Sequence, residues 1–234
     1  MPTSSQLPLP LHLNPQATFD SYVAGPNAET VAWLRALATT RTEPMTFLWG
    51  PKGCGRSHLL QSACREATQT GLSSVYLPLA SATEGVIDML EGVEHARLAC
   101  LDDIDTIAGN DTAERAAFAL CNRLRENGGQ LLVAATKPPA ELDLELPDLR
   151  SRLGWGPVFG LRALDDEGKL RVLGLRAVQL GFDLPEEAGR YLLTRSARGL
   201  GQLLDLLDGI DRATLVAQRR VTIPFLRDYL ATRN

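Results

Sequence analysis

The sequence lacks the features that mark several classes of protein. Its four cysteines form no CxxC pair, which argues against a zinc site or a redox motif and favours free thiols. No apolar run approaches the roughly 20 residues of a membrane span. The start has neither the basic region nor the uninterrupted apolar region of a signal peptide. We therefore expect a soluble, cytoplasmic protein without a membrane partner.

An excess of positive charge is also missing. The formal net charge is −4 at pH 7, so extensive binding of nucleic acid by the chain itself is not expected. Hydrophobic residues make up 44% of the 234 residues and charged residues 22%, which predicts a packed core. This length is enough for one α/β domain and a smaller helical domain.

The first 16 residues contain no Asp, Glu, Lys or Arg. Within them, residues 6–13 read QLPLPLHL, where leucine alternates with proline before histidine intervenes. Proline at this density predicts an extended segment close to a polyproline II conformation. Leucines on such a segment remain exposed, so a docking segment and a tail without a role are the two interpretations.

Apolar segments alternate with helical patterns along the next part of the chain. Helices are predicted at 27–38, from 56 and at 112–125. Strands are predicted at 45–50, 73–79, 96–103, 130–136 and 156–161. This alternation, with continuous apolar runs such as LLVAA (131–135), predicts an α/β fold with a doubly wound parallel sheet and helices on both faces.

Only helical patterns remain after about residue 165. They cover 165–180, a helix from 185, 199–218 and 222–232. The predicted organisation is therefore an extended tail (1–16), an α/β domain (17–162) and a helical domain (163–234).

The segment GPKGCGRS (50–57) follows the first predicted strand and opens a helix. In that context the motif GxxxxGK[ST] forms a loop whose backbone amides bind phosphate. Arg56 stands where the motif has lysine, and a forked guanidinium does not place a point charge on the phosphates, which favours tight binding over rapid turnover. A glycine-rich turn without a ligand is the alternative. The predicted nucleotide-binding residues are Gly50, Pro51, Lys52, Gly53, Cys54, Gly55, Arg56, Ser57 and His58.

Two acidic residues, Asp102 and Asp103, end the third predicted strand. At the carboxyl end of a buried strand an acid can hold Mg²⁺ or a water that faces the phosphates. We therefore expect both to belong to the nucleotide site, and Ser57 and Asp102 to hold Mg²⁺ bound with the nucleotide. Combined with the glycine-rich loop, this pair is typical of P-loop NTPases.

These motifs resemble those of the DnaA/Hda family of AAA+ proteins, which initiate DNA replication or regulate the initiator. The likeness covers nearly the whole chain and is stronger to the shorter, Hda-type regulators, which share the QLPLPL start, the arginine in the loop and an end after the helical lid. The matching segments are FDSYVAGPNAE (19–29), FLWGPKGCGRSHLL (47–60), LACLDDIDTIAG (98–109) and LPDLRSRLGWG (146–156).

The resemblance implies an AAA+ domain followed by a small helical lid, with ADP or ATP as cofactor and Mg²⁺ where the nucleotide carries it. It implies two protein partners, DnaA and the sliding clamp (β subunit) of DNA polymerase III, with DNA reached only through the clamp. Self-association is a further expectation for an AAA+ domain. The clamp-docking residues would be Gln6, Leu7, Leu9, Pro10 and Leu11, whose leucines each stabilise docking by about 1.5–3 kcal/mol before the cost of ordering.

The resemblance also implies an arginine finger at Arg152, within SRLGWG. Such a group enters the nucleotide site of a neighbouring subunit and stabilises charge on the transferred phosphoryl group. Thr136, at the end of the sensor strand, would orient a water. The family's lid arginine corresponds to Gly201, and Arg198, one helical turn earlier, is the candidate substitute in the nucleotide site.

Three functions are compatible with these patterns. The first is a clamp-bound regulator that stimulates hydrolysis of DnaA-bound ATP, with weak or no ATPase activity of its own. The second is an autonomous AAA+ ATPase of the initiator or helicase-loader type, against which Arg56 and Gly201 argue. The third is a DNA-binding initiator acting alone, which the acidic balance disfavours.

Overall fold

The computed structural model describes residues 13–39, 43–81, 85–195, 199–217 and 220–232. For residues 215–217 it describes the backbone only. The predicted clamp-docking residues and Arg198 lie outside the described residues. Those clamp-docking residues are Gln6, Leu7, Leu9, Pro10 and Leu11.

A five-stranded parallel sheet forms the centre of the first domain, as predicted. The strand order is β2-β3-β4-β1-β5, so β1 and β4 are neighbours although the segments that form them are far apart in sequence. Each observed strand lies within its predicted range and is one to three residues shorter. The strands are β1 (Met45–Trp49), β2 (Ser74–Pro78), β3 (Leu98–Asp102), β4 (Gln130–Ala135) and β5 (Val158–Gly160).

Helices cover both faces of the sheet because successive strand residues point to opposite sides. In β4, Leu131, Val133 and Ala135 pack on one face, and Leu132 and Ala134 pack on the other. The first face is covered by α3 (Val86–Leu90), α4 (Asp111–Glu126) and α5 (Pro147–Leu153). The second is covered by α1 (Ala28–Thr39) and α2 (Arg56–Gln69). Both faces are thus buried, which explains why the strands carry no polar alternation.

The C-terminal part is a helical lid with a core of its own. Asp165 caps its first helix by accepting a hydrogen bond from the Gly168 amide at 2.8 Å, which satisfies an amide that the helix cannot pair internally. Leu173, Leu192 and Leu203 are fully buried in this core. The lid helices are α6 (Asp166–Leu180), α7 (Glu186–Arg195), α8 (Leu200–Ala217) and α9 (Ile223–Ala231).

Across the described ranges, no helix combines the length and apolar character needed to cross a membrane. The four cysteines are all buried and unpaired with one another.

Candidate nucleotide-binding cleft

A cleft of about 980 Å³ lies between the glycine-rich loop, the N-terminal segment and the lid. The loop connects β1 to α2, and the first amides of a helix have no partner within the helix, so they are available to an anion. Most predicted nucleotide-binding residues line this cleft, whereas Gly50, Pro51 and Asp102 do not. Those that line it are Lys52, Gly53, Cys54, Gly55, Arg56, Ser57, His58, Asp103 and Thr136.

Glycine is required at two points of the loop for steric reasons. A Cβ at Gly55 would lie 2.5 Å from the Tyr22 ring, and the φ of +96° is unfavourable for other residues. A Cβ at Gly50 would lie 2.6 Å from the Leu161 carbonyl oxygen. The loop is therefore packed tightly against the segment before α1 and the chain that follows β5.

Arg56 is engaged by the protein itself. Its Nη1 donates to the carbonyl oxygens of Gly50 and, at 2.7 Å, Ala135, and its Nη2 donates to Asp103 Oδ1 at 3.0 Å. Only 8% of the residue is exposed. The guanidinium thus joins the start of the loop to the ends of β4 and β3. Lysine has no forked donor group with which to reproduce this set of bonds.

Asp103 reaches Arg56 because its backbone turns sharply after β3. Its φ is +54°, and among the described residues it is the one non-glycine with positive φ. Asp tolerates this conformation better than most side chains. Burial, followed by the neighbouring Asp102 charge, raises the pKa of Asp103, while the charge of Arg56 lowers it. Arg56 therefore stabilises the ionised form of Asp103, which burial and the Asp102 charge disfavour.

Asp102 is buried behind the cleft, where it accepts a hydrogen bond from Tyr76 Oη at 2.8 Å. Tyr76 also interacts with Ser57 through its side chain, so one hydroxyl connects the two residues predicted to hold Mg²⁺. Burial and the Asp102 carboxylate raise the pKa of Tyr76, which keeps the phenol protonated as a donor. Ser57 lines the cleft and Asp102 lies behind it, so the Tyr76 hydroxyl links the two oxygen-bearing side chains that would hold Mg²⁺.

Thr136 and Asp105 form a second polar pair in the cleft. The Thr136 amide donates to Asp105 Oδ2 at 3.2 Å, and the Thr136 hydroxyl donates to the same oxygen. The hydroxyl predicted to orient a water is thus held by a carboxylate. Sequence reasoning missed both Tyr76 and Asp105, although Asp105 follows the acidic pair by two residues.

His58 contacts the N-terminal segment. Its Nε2 lies 2.9 Å from the Thr18 carbonyl oxygen and 3.3 Å from Ser21 Oγ. Burial lowers the pKa of His58, so the neutral imidazole is favoured. The Tyr22 hydroxyl donates to the Cys54 carbonyl oxygen at 3.0 Å. These contacts hold the N-terminal segment against the loop as one wall of the cleft.

The lid supplies the opposite wall. Arg176 on α6 makes a two-bonded ion pair with Asp208 on α8, with both hydrogen bonds at 2.9 Å, and both residues line the cleft. Arg176 Nη1 is buried, and no residue in the described part of the chain accepts a hydrogen bond from it. Sequence reasoning missed this arginine, which lies within an amphipathic helix without a motif. A Cβ at Gly201 would meet no atom of the described ranges within 4 Å, so no packing contact within them explains the glycine there.

Arg152 lies outside the cleft, on α5. Its guanidinium carbon is 3.8 Å from the centroid of the Trp155 ring and 5.6 Å from that of Phe118. The start of α5 is held by Glu114, which is fully buried and accepts hydrogen bonds from the Glu145 and Leu146 amides at 3.1 and 2.7 Å. The structure therefore places Arg152 on a fixed helix away from the predicted nucleotide-binding residues.

Two family models match consecutive parts of the chain. The bacterial DnaA ATPase domain matches residues 13–160, and the Hda lid domain matches residues 166–230.

Solved structures with the same fold include replication initiators and a DNA motor. Domain III of the Thermotoga maritima replication initiation protein DnaA has a TM-score of 0.82 and 22% identity, covering 93% of this chain and 98% of that one. AMPPCP-bound DnaA from Aquifex aeolicus has a TM-score of 0.69 and 23% identity over 88% of this chain and 71% of that one. The Thermotoga maritima RuvB Holliday junction branch migration motor has a TM-score of 0.68 and 17% identity, with coverages of 94% and 72%. At such low identity these structures show the fold alone.

Proposed function

Because this chain belongs to the DnaA/Hda family of AAA+ proteins, with an Hda-type lid, we propose that it inactivates DnaA. In this proposal it docks on the DNA-loaded sliding clamp, binds ATP-bound DnaA and stimulates hydrolysis of the nucleotide held by DnaA. Replication initiation is then suppressed where replicating DNA carries the clamp. Arg152 supplies the finger in trans.

The observation that carries the proposal is the state of Arg152. It lies outside the chain's own cleft, stacked on aromatic rings, and its buried Nη1 has no hydrogen-bond partner among the described residues. An arginine that serves its own fold would normally pair with a carboxylate or a helix-end carbonyl. Arg152 has no such partner among the described residues, and the N–H groups of this partly exposed side chain other than those on Nη1 would face an anion brought by another molecule.

The cleft suits an adenine nucleotide that is held without rapid turnover. Backbone amides at the start of α2 would bind the phosphates, and Lys52 is a cation of the loop that lines the cleft. Ser57 and Asp102 would hold Mg²⁺, which would neutralise part of the phosphate charge. Arg56 and Thr136 are both bound to carboxylates of the protein, so neither is free to serve a hydrolytic reaction in this cleft. We therefore propose ADP as the resident nucleotide.

The segment of residues 6–11 would dock on the clamp, since an extended chain can insert Leu9 and Leu11 into an apolar pocket while Gln6 forms hydrogen bonds at its rim. DNA is then reached through the clamp only. Replacing Gln6 and Leu9 by alanine together should abolish clamp binding and leave the thermal unfolding midpoint unchanged. Retained clamp binding would reject this assignment.

The finger is tested by reconstituting ATP-bound DnaA with DNA-loaded clamp and measuring phosphate release after adding this protein. Arg152→Ala should remove the stimulation, because fingers of this type contribute factors of about 10³–10⁵ in rate. Arg150→Ala is the matched control, since it removes an arginine of the same helix, and it should stimulate normally. Undiminished stimulation by Arg152→Ala would rule out the finger assignment.

The same assay separates the alternative of an autonomous ATPase. Hydrolysis by the purified chain without DnaA, abolished by Asp102→Asn, would favour that alternative. Mass spectrometry of nucleotide released from the purified protein should identify ADP, and ATP in its place would contradict the proposed resident nucleotide.

A further inference from the structure

Arg152 stands apart from the arginines that stabilise the fold. Several of these pair with Asp or Glu: Arg35, Arg56, Arg115, Arg176 and Arg190. Arg152 makes no ion pair with any residue that the structure describes, and its Nη1 is buried without a hydrogen-bond partner. The group is therefore retained in position by something other than opposite charge.

Aromatic rings occupy the place of a carboxylate. The guanidinium carbon is 3.8 Å from the Trp155 ring centroid, and Phe118 lies farther away, at 5.6 Å. The thiol of Cys121 is also near, but burial raises its pKa to about 12, so it supplies no negative charge at neutral pH. Stacking on Trp155 is thus the closest contact that orients the guanidinium.

The backbone fixes Trp155 in turn. Its amide donates to the Arg152 carbonyl oxygen at 3.1 Å, which closes the end of α5. A Cβ at Gly156 would lie 1.9 Å from the Met45 carbonyl oxygen, so the residue that follows Trp155 is pressed against β1. The indole is 61% exposed, and its position therefore comes from this turn more than from burial.

A stacked guanidinium is well suited to capture a phosphate. A salt-bridged arginine must first lose its carboxylate, whereas stacking occupies only the face of the group. Because Nη1 is buried, the other in-plane N–H groups of this partly exposed side chain are the donors for a phosphate. Arg125 approaches the same indole at 5.3 Å. Two cations near one ring repel each other, and an approaching polyanion would relieve that repulsion.

We propose that Trp155 is the positioning residue of Arg152, holding its guanidinium ready for a phosphate of the nucleotide on a neighbouring subunit. This inference rests on the proposed function, because it takes Arg152 as the finger. Trp155 itself does not touch the nucleotide.

The stacking is tested first without any partner. In NMR spectra of the whole protein, the Arg152 side-chain protons should show upfield ring-current shifts that disappear in Trp155→Ala and persist in Trp155→Phe. Absence of a shift difference between wild type and Trp155→Ala would overturn the inference, whatever the protein does to DnaA.

The functional consequence is tested in the reconstituted DnaA assay with the protein concentration varied. Trp155→Ala should lower the maximal rate of stimulated hydrolysis by about tenfold, within the range expected from losing one cation–π contact. The concentration for half-maximal stimulation should stay within about twofold, and Trp155→Phe should restore part of the rate. Val178→Ala is the matched control, because it removes an exposed apolar side chain from the lid, 73% exposed, far from α5 in sequence.

The outcomes distinguish this inference from the proposed function. An active Trp155→Ala protein beside an inactive Arg152→Ala protein would overturn the positioning role and leave the finger intact. An active Arg152→Ala protein would overturn both. A Trp155→Ala protein that reaches the normal maximal rate only at higher concentration would show that Trp155 is a docking contact, which also overturns the inference.

Discussion

Replacing Arg56 by alanine should destabilise the protein strongly, even though Arg56 belongs to a loop associated with ligand binding. The change removes the donor to the Gly50 and Ala135 carbonyl oxygens and to Asp103. It also leaves Asp103 beside Asp102 without its nearest cation. The destabilisation therefore has two sources, lost hydrogen bonds and an uncompensated carboxylate.

The magnitude follows from burial. Breaking a buried ion pair by removing one partner costs about 3–5 kcal/mol. The Asp103 side chain is 30% exposed, so water screens part of that charge and the low end, about 3 kcal/mol, is appropriate. For a chain of this size about 1 kcal/mol corresponds to about 2–4 °C, so the thermal midpoint should fall by about 6–12 °C.

Arg56→Lys sharpens the prediction because it restores the common form of the motif. Lysine keeps the charge but cannot span three acceptors with one compact ammonium group. We therefore expect Arg56→Lys to destabilise the protein about half as much as Arg56→Ala. A stabilised lysine variant would contradict the interpretation of Arg56 as a structural connection within the loop.

The effect of Arg56→Ala should also depend on pH. The pKa of Asp103 is raised in the folded protein, so protonation of this group favours the folded state as pH falls through that raised pKa. Without Arg56 the pKa should rise further. The difference between wild type and variant should therefore be largest near neutral pH and decrease under mildly acidic conditions.

Urea unfolding followed by far-UV circular dichroism measures these differences, with Arg115→Ala as control because its ion pair with Asp111 is on the surface. The control should leave the midpoint unchanged. An Arg56→Ala midpoint equal to that of wild type would contradict a structural role for Arg56, as would an equal loss of stability at neutral and acidic pH.

Two further predictions concern buried polar groups. Glu114→Ala should lower the free energy of unfolding by about 3 kcal/mol, because the amides that donate to this fully buried carboxylate would lose their acceptor. A change below about 1 kcal/mol in urea unfolding would contradict this prediction. His58 has a folded pKa below its ordinary 6.5, so the unfolded chain binds the proton more readily and stability should be lost as pH falls from 6.5 through the lower folded value. His58→Gln should reduce that loss between about pH 7.5 and pH 5.5, and identical pH profiles for the two proteins would disprove the assignment.

The strands could be predicted because most of their residues are apolar and do not alternate with polar ones. The run QLLVAA of β4 is buried along its whole length, which fits a central strand covered on both faces. The ends of strands were less predictable, since polar residues beyond them, such as Thr136, continue the chain without a turn signal. The lid helices were predictable from their caps and periodicity, as at Asp165.

Much of the cleft could not be predicted, because its contacts join residues that are distant in sequence. Arg56 donates to Ala135, 79 positions away, only because the strand order places β4 beside β1. His58 contacts Thr18 across 40 positions for a similar reason, since the N-terminal segment packs on α2. Motif spacing identifies the loop but contains no information about these partners.

The N-terminal segment is attached to α2 at Asn14, and this attachment is the fixed point from which the preceding residues extend. The Asn14 amide donates to Gln61 at 2.8 Å, and Arg65 donates to the Asn14 carbonyl oxygen at 2.9 Å. A chain extends at most about 3.6 Å per residue, so three residues span at most about 11 Å. If the proposed docking holds, the tether is short, and the AAA+ domain would be confined to the immediate surface of the clamp. Its local concentration there would then be governed by geometry more than by its abundance in the cell.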